Sequence, residues 1–162
     1  MLLNLTLREM MLIPLPSIPA QKKLPYRPTQ AEAEYVYDVL NTQIFNEILQ
    51  RPVITIAGRC RNYWGMCYGE DKVQATNTFC KIKIMDKWFC AQWMITVLAH
   101  EMCHQYQWDI FSFERAKKGK PRLMSHGPSF YRYQPQLRQH GISLSTTSSM
   151  KRWFKHQDLF KC

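Results

Sequence analysis

One stretch constrains this chain more than any other. From Trp88 to Ala99 it contains no proline or glycine and stays apolar for more than two turns, then ends in His100-Glu101-Met102-Cys103-His104. Such a run predicts a buried helix. On a helix of about 3.6 residues per turn, side chains four apart share a face, so His100 and His104 can grip a single ion. Trp93, Thr96 and Val97 fall on or near that side, while Ile95, Leu98 and Met102 can face a core. Two histidines at this spacing with a glutamate beside the first form the H-E-x-x-H pattern of zinc-dependent hydrolases. Glu101 is offset toward the open coordination position, where a carboxylate can take a proton from water and pass it to a leaving amine. The plainer alternative, two ordinary histidines on an amphipathic helix, leaves the glutamate and the apolar approach unexplained.

A catalytic zinc commonly has three protein ligands, so a third must be sought. His126 sits in Ser125-His126-Gly127-Pro128-Ser129-Phe130, where Gly127 frees the backbone and Pro128 suits a first helical turn. A histidine held just before a helix start can point back at a site. His140 precedes Gly141 and fits the last turn of the same helix, as a cation near the carbonyl end. His156 lies in a basic tail. Asp109 and Glu114 are carboxylate alternatives, although Asp109, five residues past His104, points away from the ligand face.

Upstream, Thr29 and Glu32 form a Thr-x-x-Glu capping box after Pro28. The helix it opens is expected to reach about Gln50, with Tyr35, Val36, Val39, Leu40, Ile44, Phe45, Ile48 and Leu49 as its core-facing stripe. Pro52 ends it. Segments 53–57, 63–68 and 78–85 read as strands, with Ile54, Ile56, Ile82 and Ile84 alternating against polar neighbours. Helix, small antiparallel sheet, helix, helix is an α+β layout. Residues 143–149 form a serine- and threonine-rich linker.

Taken together, His100-Glu101-Met102-Cys103-His104 and the later His126-Gly127-Pro128-Ser129-Phe130 resemble the SprT-like metallopeptidases, which include the Spartan proteases. The upstream order is similar as well: Ile44-Phe45-Asn46 in a first helix, a hairpin around Gly58-Arg59 and Gly65-Met66-Cys67, and Lys81-Ile82-Lys83-Ile84 before the active-site helix. The resemblance covers about residues 29 to 141. It implies a zincin-like core, Zn2+ held by His100, His104 and His126, the last carried with a following helix, and Glu101 as catalytic base. Members often carry a four-cysteine zinc ribbon after the core. This chain has no Cys-x-x-Cys pair, and Cys162 is the only cysteine beyond Cys103.

Charge is distributed unevenly. The chain is +10, yet residues 1–110 hold 11 basic and 10 acidic side chains, against 11 basic and 2 acidic in residues 111–162. That asymmetry points to an anionic partner for the carboxy-terminal third. Arg115, Lys117, Lys118, Lys120 and Arg122 cluster between the second and third expected ligands. Lys151, Arg152, Lys155 and Lys161 cluster around Trp153, Phe154 and Phe160. Cations interleaved with aromatics suit single-stranded nucleic acid, the rings serving as stacking platforms, and Tyr131, Arg132, Tyr133 and Trp153 join the set. The Spartan side of the resemblance implies a protease acting on proteins bound or crosslinked to DNA. The rival from another class is a nonproteolytic DNA-binding factor that recruits a transcription or repair protein and keeps a zinc site. A general peptidase whose charge only aids solubility is a third reading.

At 162 residues, one compact domain is expected over 28–142, flanked by an extended amino-terminal arm or tail (1–27) and a basic carboxy-terminal linker and helix (143–162). Six cysteines without a secreted-type framework predict free thiols in a reducing, intracellular compartment, cytoplasm, nucleoid or nucleus, with a bridge from Cys60 to Cys67 or Cys80 as the alternative. Cys103 reads as a small core residue. Residues 10–20 do not fit a signal peptide: Arg8 and Glu9 interrupt the apolar run, there is no basic n-region, and three prolines break it. No stretch approaches the roughly 20 apolar residues of a membrane span, so no membrane partner is expected.

Overall fold

The computed structural model describes residues 2–13, 24–58, 63–69, 80–112, 118–119 and 124–146. Its elements run α1 (Leu7–Met11), α2 (Gln30–Gln43), β1 (Val53–Ala57), β2 (Gly65–Tyr68), β3 (Lys81–Met85) and α3 (Ala91–Gln105). A π-helical continuation of α3 (Tyr106–Phe111), a 3-10 turn (Phe130–Tyr133) and α4 (Gln134–Gln139) follow. The mixed α+β class is as expected from the sequence.

Helix α2 opens as its capping box requires. The Thr29 hydroxyl accepts from the Glu32 amide at 3.1 Å, and Glu32 Oε2 accepts from the Thr29 amide at 3.0 Å. The other oxygen, Oε1, accepts the Leu2 amide at 3.0 Å. One carboxylate therefore both starts α2 and pins the amino-terminal segment. That segment departs from the extended arm expected of it. Thr6 and Glu9 form a second capping box that starts α1, and Leu2, Leu7, Met10 and Met11 are buried in the core. Burying each of these side chains is worth about 1.5–3 kcal/mol, enough to order a helix too short to stand alone. Helix α2 also ends earlier than Gln50. Asn46 and Glu47 take φ of 53° and 61°, and Asn41 brackets Leu49 by accepting its amide at 3.2 Å and donating to its carbonyl at 2.8 Å. The stripe still packs: Val36, Leu40, Ile44, Phe45 and Leu49 are buried, and only Ile48 turns outward.

The sheet has the order β1-β3-β2 and is mixed, not antiparallel. β3 pairs in parallel with β1, Ile82 opposite Ile54 and Ile84 opposite Ile56, and antiparallel with β2. The alternation of these isoleucines fixes which face is buried, and it is blind to strand direction. β2 starts at Gly65 and not at 63, and β3 runs from Lys81; residues 78 and 79 lie outside the described set.

Helix α3 is buried on every side, as an all-round apolar helix must be. Its polar members are tied in place. Gln105 Oε1 accepts the Tyr37 hydroxyl at 2.9 Å and its Nε2 donates to the Gln50 carbonyl at 2.7 Å, while Gln92 Nε2 donates to the Ile13 carbonyl. Strand β2 presses on α3 so closely that a Cβ at Gly65 would stand 2.8 Å from Val97 Cγ1 and 3.0 Å from Glu101 Cγ. Glycine there lets the strand backbone reach the active-site turn. At the far end of β2, a Cβ on Gly69 would lie 2.4 Å from Cys80 Sγ and 2.6 Å from Trp108 Cδ1. No helix among the described residues is long and apolar enough to cross a membrane. Cys67, Cys80, Cys90 and Cys103 are free thiols, as expected; Cys60 and Cys162 lie outside the described residues.

Candidate metal centre

The i, i+4 spacing on α3 puts the His100 and His104 rings side by side, centroids 5.0 Å apart. The third histidine comes from a chain reversal. The Gly127 amide donates to the Met124 carbonyl at 3.1 Å and the Phe130 amide to the Gly127 carbonyl at 2.9 Å, and these two turns aim His126 back at α3. His126 thus precedes the helical segment instead of riding on it, and that segment begins as the 3-10 turn Phe130–Tyr133. His126 Nε2 stands 3.2 Å from His104 Nε2 and 3.5 Å from His100 Nε2. Nitrogens bound tetrahedrally to zinc at about 2.0–2.1 Å lie about 3.3 Å from one another, so this spacing fits the ion's donor set. Phe130, fully buried, supports the cluster from below, with its ring centroid 4.6 to 4.8 Å from those of all three imidazoles. In the sequence Phe130 stands out only as part of the His126-Gly127-Pro128-Ser129-Phe130 motif.

Among the described residues these three histidines are the one group of potential ligands that converges within 4.8 Å. Asp109 serves elsewhere, as its position predicts: both its oxygens accept the Cys80 amide at 3.2 Å, fixing the entry to β3. His140 caps the end of α4, while Glu114 and His156 lie outside the described residues.

Protonation in this pocket follows from burial. Burial pushes His104 down to about 4, opposed by its hydrogen bond from Nδ1 to Gln107 Oε1 and helped by nearby His126. His126 is lowered by burial too. Neutral imidazoles are the form that binds metal. Glu101 is 5% exposed, and burial pushes its carboxyl up to about 8 against the pull of the Cys67 amide, which donates to Oε2 at 2.7 Å. A base poised in that range can take up and release a proton at neutral pH. Cys103 is fully buried and its thiol is pushed up by burial, which suits a core residue and not a nucleophile.

These shifts make the stability of the metal-free protein depend on pH. His104 stays neutral when folded but takes a proton below 6.5 when unfolded, so its contribution is lost as pH falls from 6.5 toward 4. Glu101 behaves oppositely. Its folded pKa is raised, so its contribution is complete below 4.5 and is lost as pH rises through about 8. Between pH 6.5 and 8 the Glu101 contribution changes most among these groups, and chelator-treated protein should lose about 2 kcal/mol of stability across that window. Urea unfolding at both pH values measures this, and Glu101→Gln should flatten it; an equal slope in that variant would sink the explanation.

The basic residues divide. Lys118 and Arg132 are exposed and Tyr131 is half-buried, its ring packed edge-on to Phe130. The Arg132 guanidinium lies 5.5 Å from the Tyr106 ring centroid. Tyr133 is a core residue whose ring packs against Phe45 at a tilt, centroids 4.6 Å apart, which removes it as a platform for bases. Arg115, Lys117, Lys120, Arg122, Lys151, Arg152, Trp153 and Lys155 lie outside the described residues.

Compared with known families, the chain matches the SprT-like family model over residues 33–150, a span that includes Glu101 and all three histidines. No curated protein matches the chain.

Proposed function

We propose that this chain, which belongs to the SprT-like family, is a zinc-dependent metalloendopeptidase of zincin-like core that acts on proteins bound or crosslinked to DNA. What carries the reading is the convergence of three imidazole nitrogens within 4.8 Å, two from the turn of α3 that also bears Glu101 and the third from the His126 turn facing it. His100, His104 and His126 would hold the ion through Nε2. When bound, zinc supplies Lewis acidity that polarises a peptide carbonyl and acidifies water. Glu101 moves the proton. Its Oε2 is engaged by the Cys67 amide, so Oε1 is the oxygen left to accept a proton from the attacking water and return it to the departing amine. Oε1 faces the gap that Gly65 leaves open, where a Cβ would stand 3.1 Å away. The buried Phe130 ring closes the pocket beneath the imidazoles.

The nucleic-acid part of the proposal rests on charge. Residues 111–162 carry 11 basic against 2 acidic side chains, and five of the basic ones, Arg115 to Arg122, fall between the second and third ligands in the chain. That segment lies between two metal ligands in the chain, which favours a place near the cleft mouth. It would hold the phosphates of single-stranded DNA while the cleft takes the attached polypeptide, with Tyr131, Arg132 and the Lys151 to Lys155 stretch around Trp153 extending the track. Replacing Lys117, Lys118 and Lys120 together with glutamine should weaken single-stranded DNA binding and reduce the slope of log K against log salt by about 2, since each phosphate contact contributes about 0.7. Fluorescence anisotropy over a salt series reads that slope. An unchanged slope would remove the segment from the interface.

A further inference from the structure

We infer that Gln107 is a positioning residue of the metal centre, one that sets the tautomer of His104 and fastens the His126 turn to α3. The Gln107 side chain is polar and fully buried. A buried amide must place both its oxygen and its nitrogen against partners, and Gln107 does so with three. Its Nε2 lies 3.0 Å from the Met124 carbonyl and 2.9 Å from Ser129 Oγ. Its Oε1 lies 3.0 Å from His104 Nδ1. The Met124 carbonyl can only accept, so the amide nitrogen must face it. The amide oxygen then faces His104 and can only accept in turn. His104 Nδ1 must therefore carry the hydrogen, which leaves the lone pair on Nε2, the atom that stands 3.2 Å from His126 Nε2.

The same amide spans the two sides of the centre. Met124 and Ser129 flank His126 by two and three residues, and Gln107 follows His104 by three, at the start of the π-helical stretch. Residues three apart on a helix are neighbours, so Gln107 reaches His104 without strain. The wider π-helical turn after it is a frequent companion of functional sites. One side chain thus holds a ligand from α3 and the loop that brings the third ligand, the role that outer partners of metal-bound histidines fill.

This rests on the zinc reading for its consequence, though the tautomer stands on the hydrogen bonds alone, and the test separates the two. Long-range proton–nitrogen imidazole spectra of the metal-free wild type at pH 7.5 should show His104 hydrogenated on Nδ1. Competition against a chromophoric chelator should show Gln107→Leu binding zinc about 10–100-fold more weakly. Thermal unfolding of both metal-free proteins establishes that the variant is folded; should it not fold, the wild-type tautomer decides alone. The Nε2-hydrogenated form in the wild type, or unchanged zinc affinity in a folded variant, would overturn the inference. A wild type that shows the Nδ1 form yet takes up no zinc would uphold the tether and overturn the zinc reading only.

Discussion

Replacing Glu101 with glutamine should lower peptide hydrolysis by about 10²–10⁴-fold, the usual loss when a positioned general base is removed, with zinc affinity close to that of the wild type. Glutamine keeps the volume of the side chain, which matters because the site is packed: Glu101 is 5% exposed and its Cγ sits where Gly65 leaves just enough room. The glutamine carbonyl can still accept the Cys67 amide that now meets Oε2 at 2.7 Å. What glutamine cannot do is take a proton at the remaining oxygen. None of the three ligand nitrogens is altered, so metal content should hold. Steady-state cleavage and zinc stoichiometry, measured on one preparation, separate the two properties. Full activity in the variant would refute the assignment of Glu101.

His126→Ala should do the reverse, removing metal while sparing the fold. The imidazole is half-buried, on a turn held by backbone hydrogen bonds, so alanine leaves no large cavity. It does remove one of three nitrogens spaced 3.2 and 3.5 Å from their neighbours. Losing a direct ligand should cost more zinc affinity than the 10–100-fold typical of an outer partner, so more than about 100-fold. At free zinc a hundred times the wild-type Kd, the wild type gains about 2.7 kcal/mol of stability, and His126→Ala should gain almost none of it. Melting curves with and without zinc read this directly. His140→Ala is the matched control, since His140 caps α4 and lies outside the cluster. Equal zinc stabilisation in His126→Ala and the wild type would exclude His126 as a ligand.

The elements that the sequence announced are those with an unbroken physical signal. Helix α3 follows from an apolar run without a breaker, and the start of α2 from a capping box that both partners complete. His126 was findable because glycine and proline beside it forecast a reversal. The direction of β1 against β3 was not, because alternation is identical for parallel and antiparallel partners. Helix α1 escaped because five residues are too few to display a period, and its stability comes from packing against α2 and α3. The early end of α2 depends on Asn41 folding back to Leu49, a side-chain contact that periodicity does not encode. Gln107 and the Cys67 amide are likewise tertiary features. The one local hint for Gln107 is a polar residue three past a ligand on a helix face that is otherwise buried.

The measurement that bears most directly on the proposed activity is the cleavage of casein or histone by zinc-loaded protein, with and without single-stranded DNA, beside Glu101→Gln in the same assay. Cleavage by the wild type should rise with DNA and be absent from the variant in both conditions. Tight DNA binding without cleavage under any condition would contradict that activity and leave a DNA-binding factor built on a metallopeptidase-like domain.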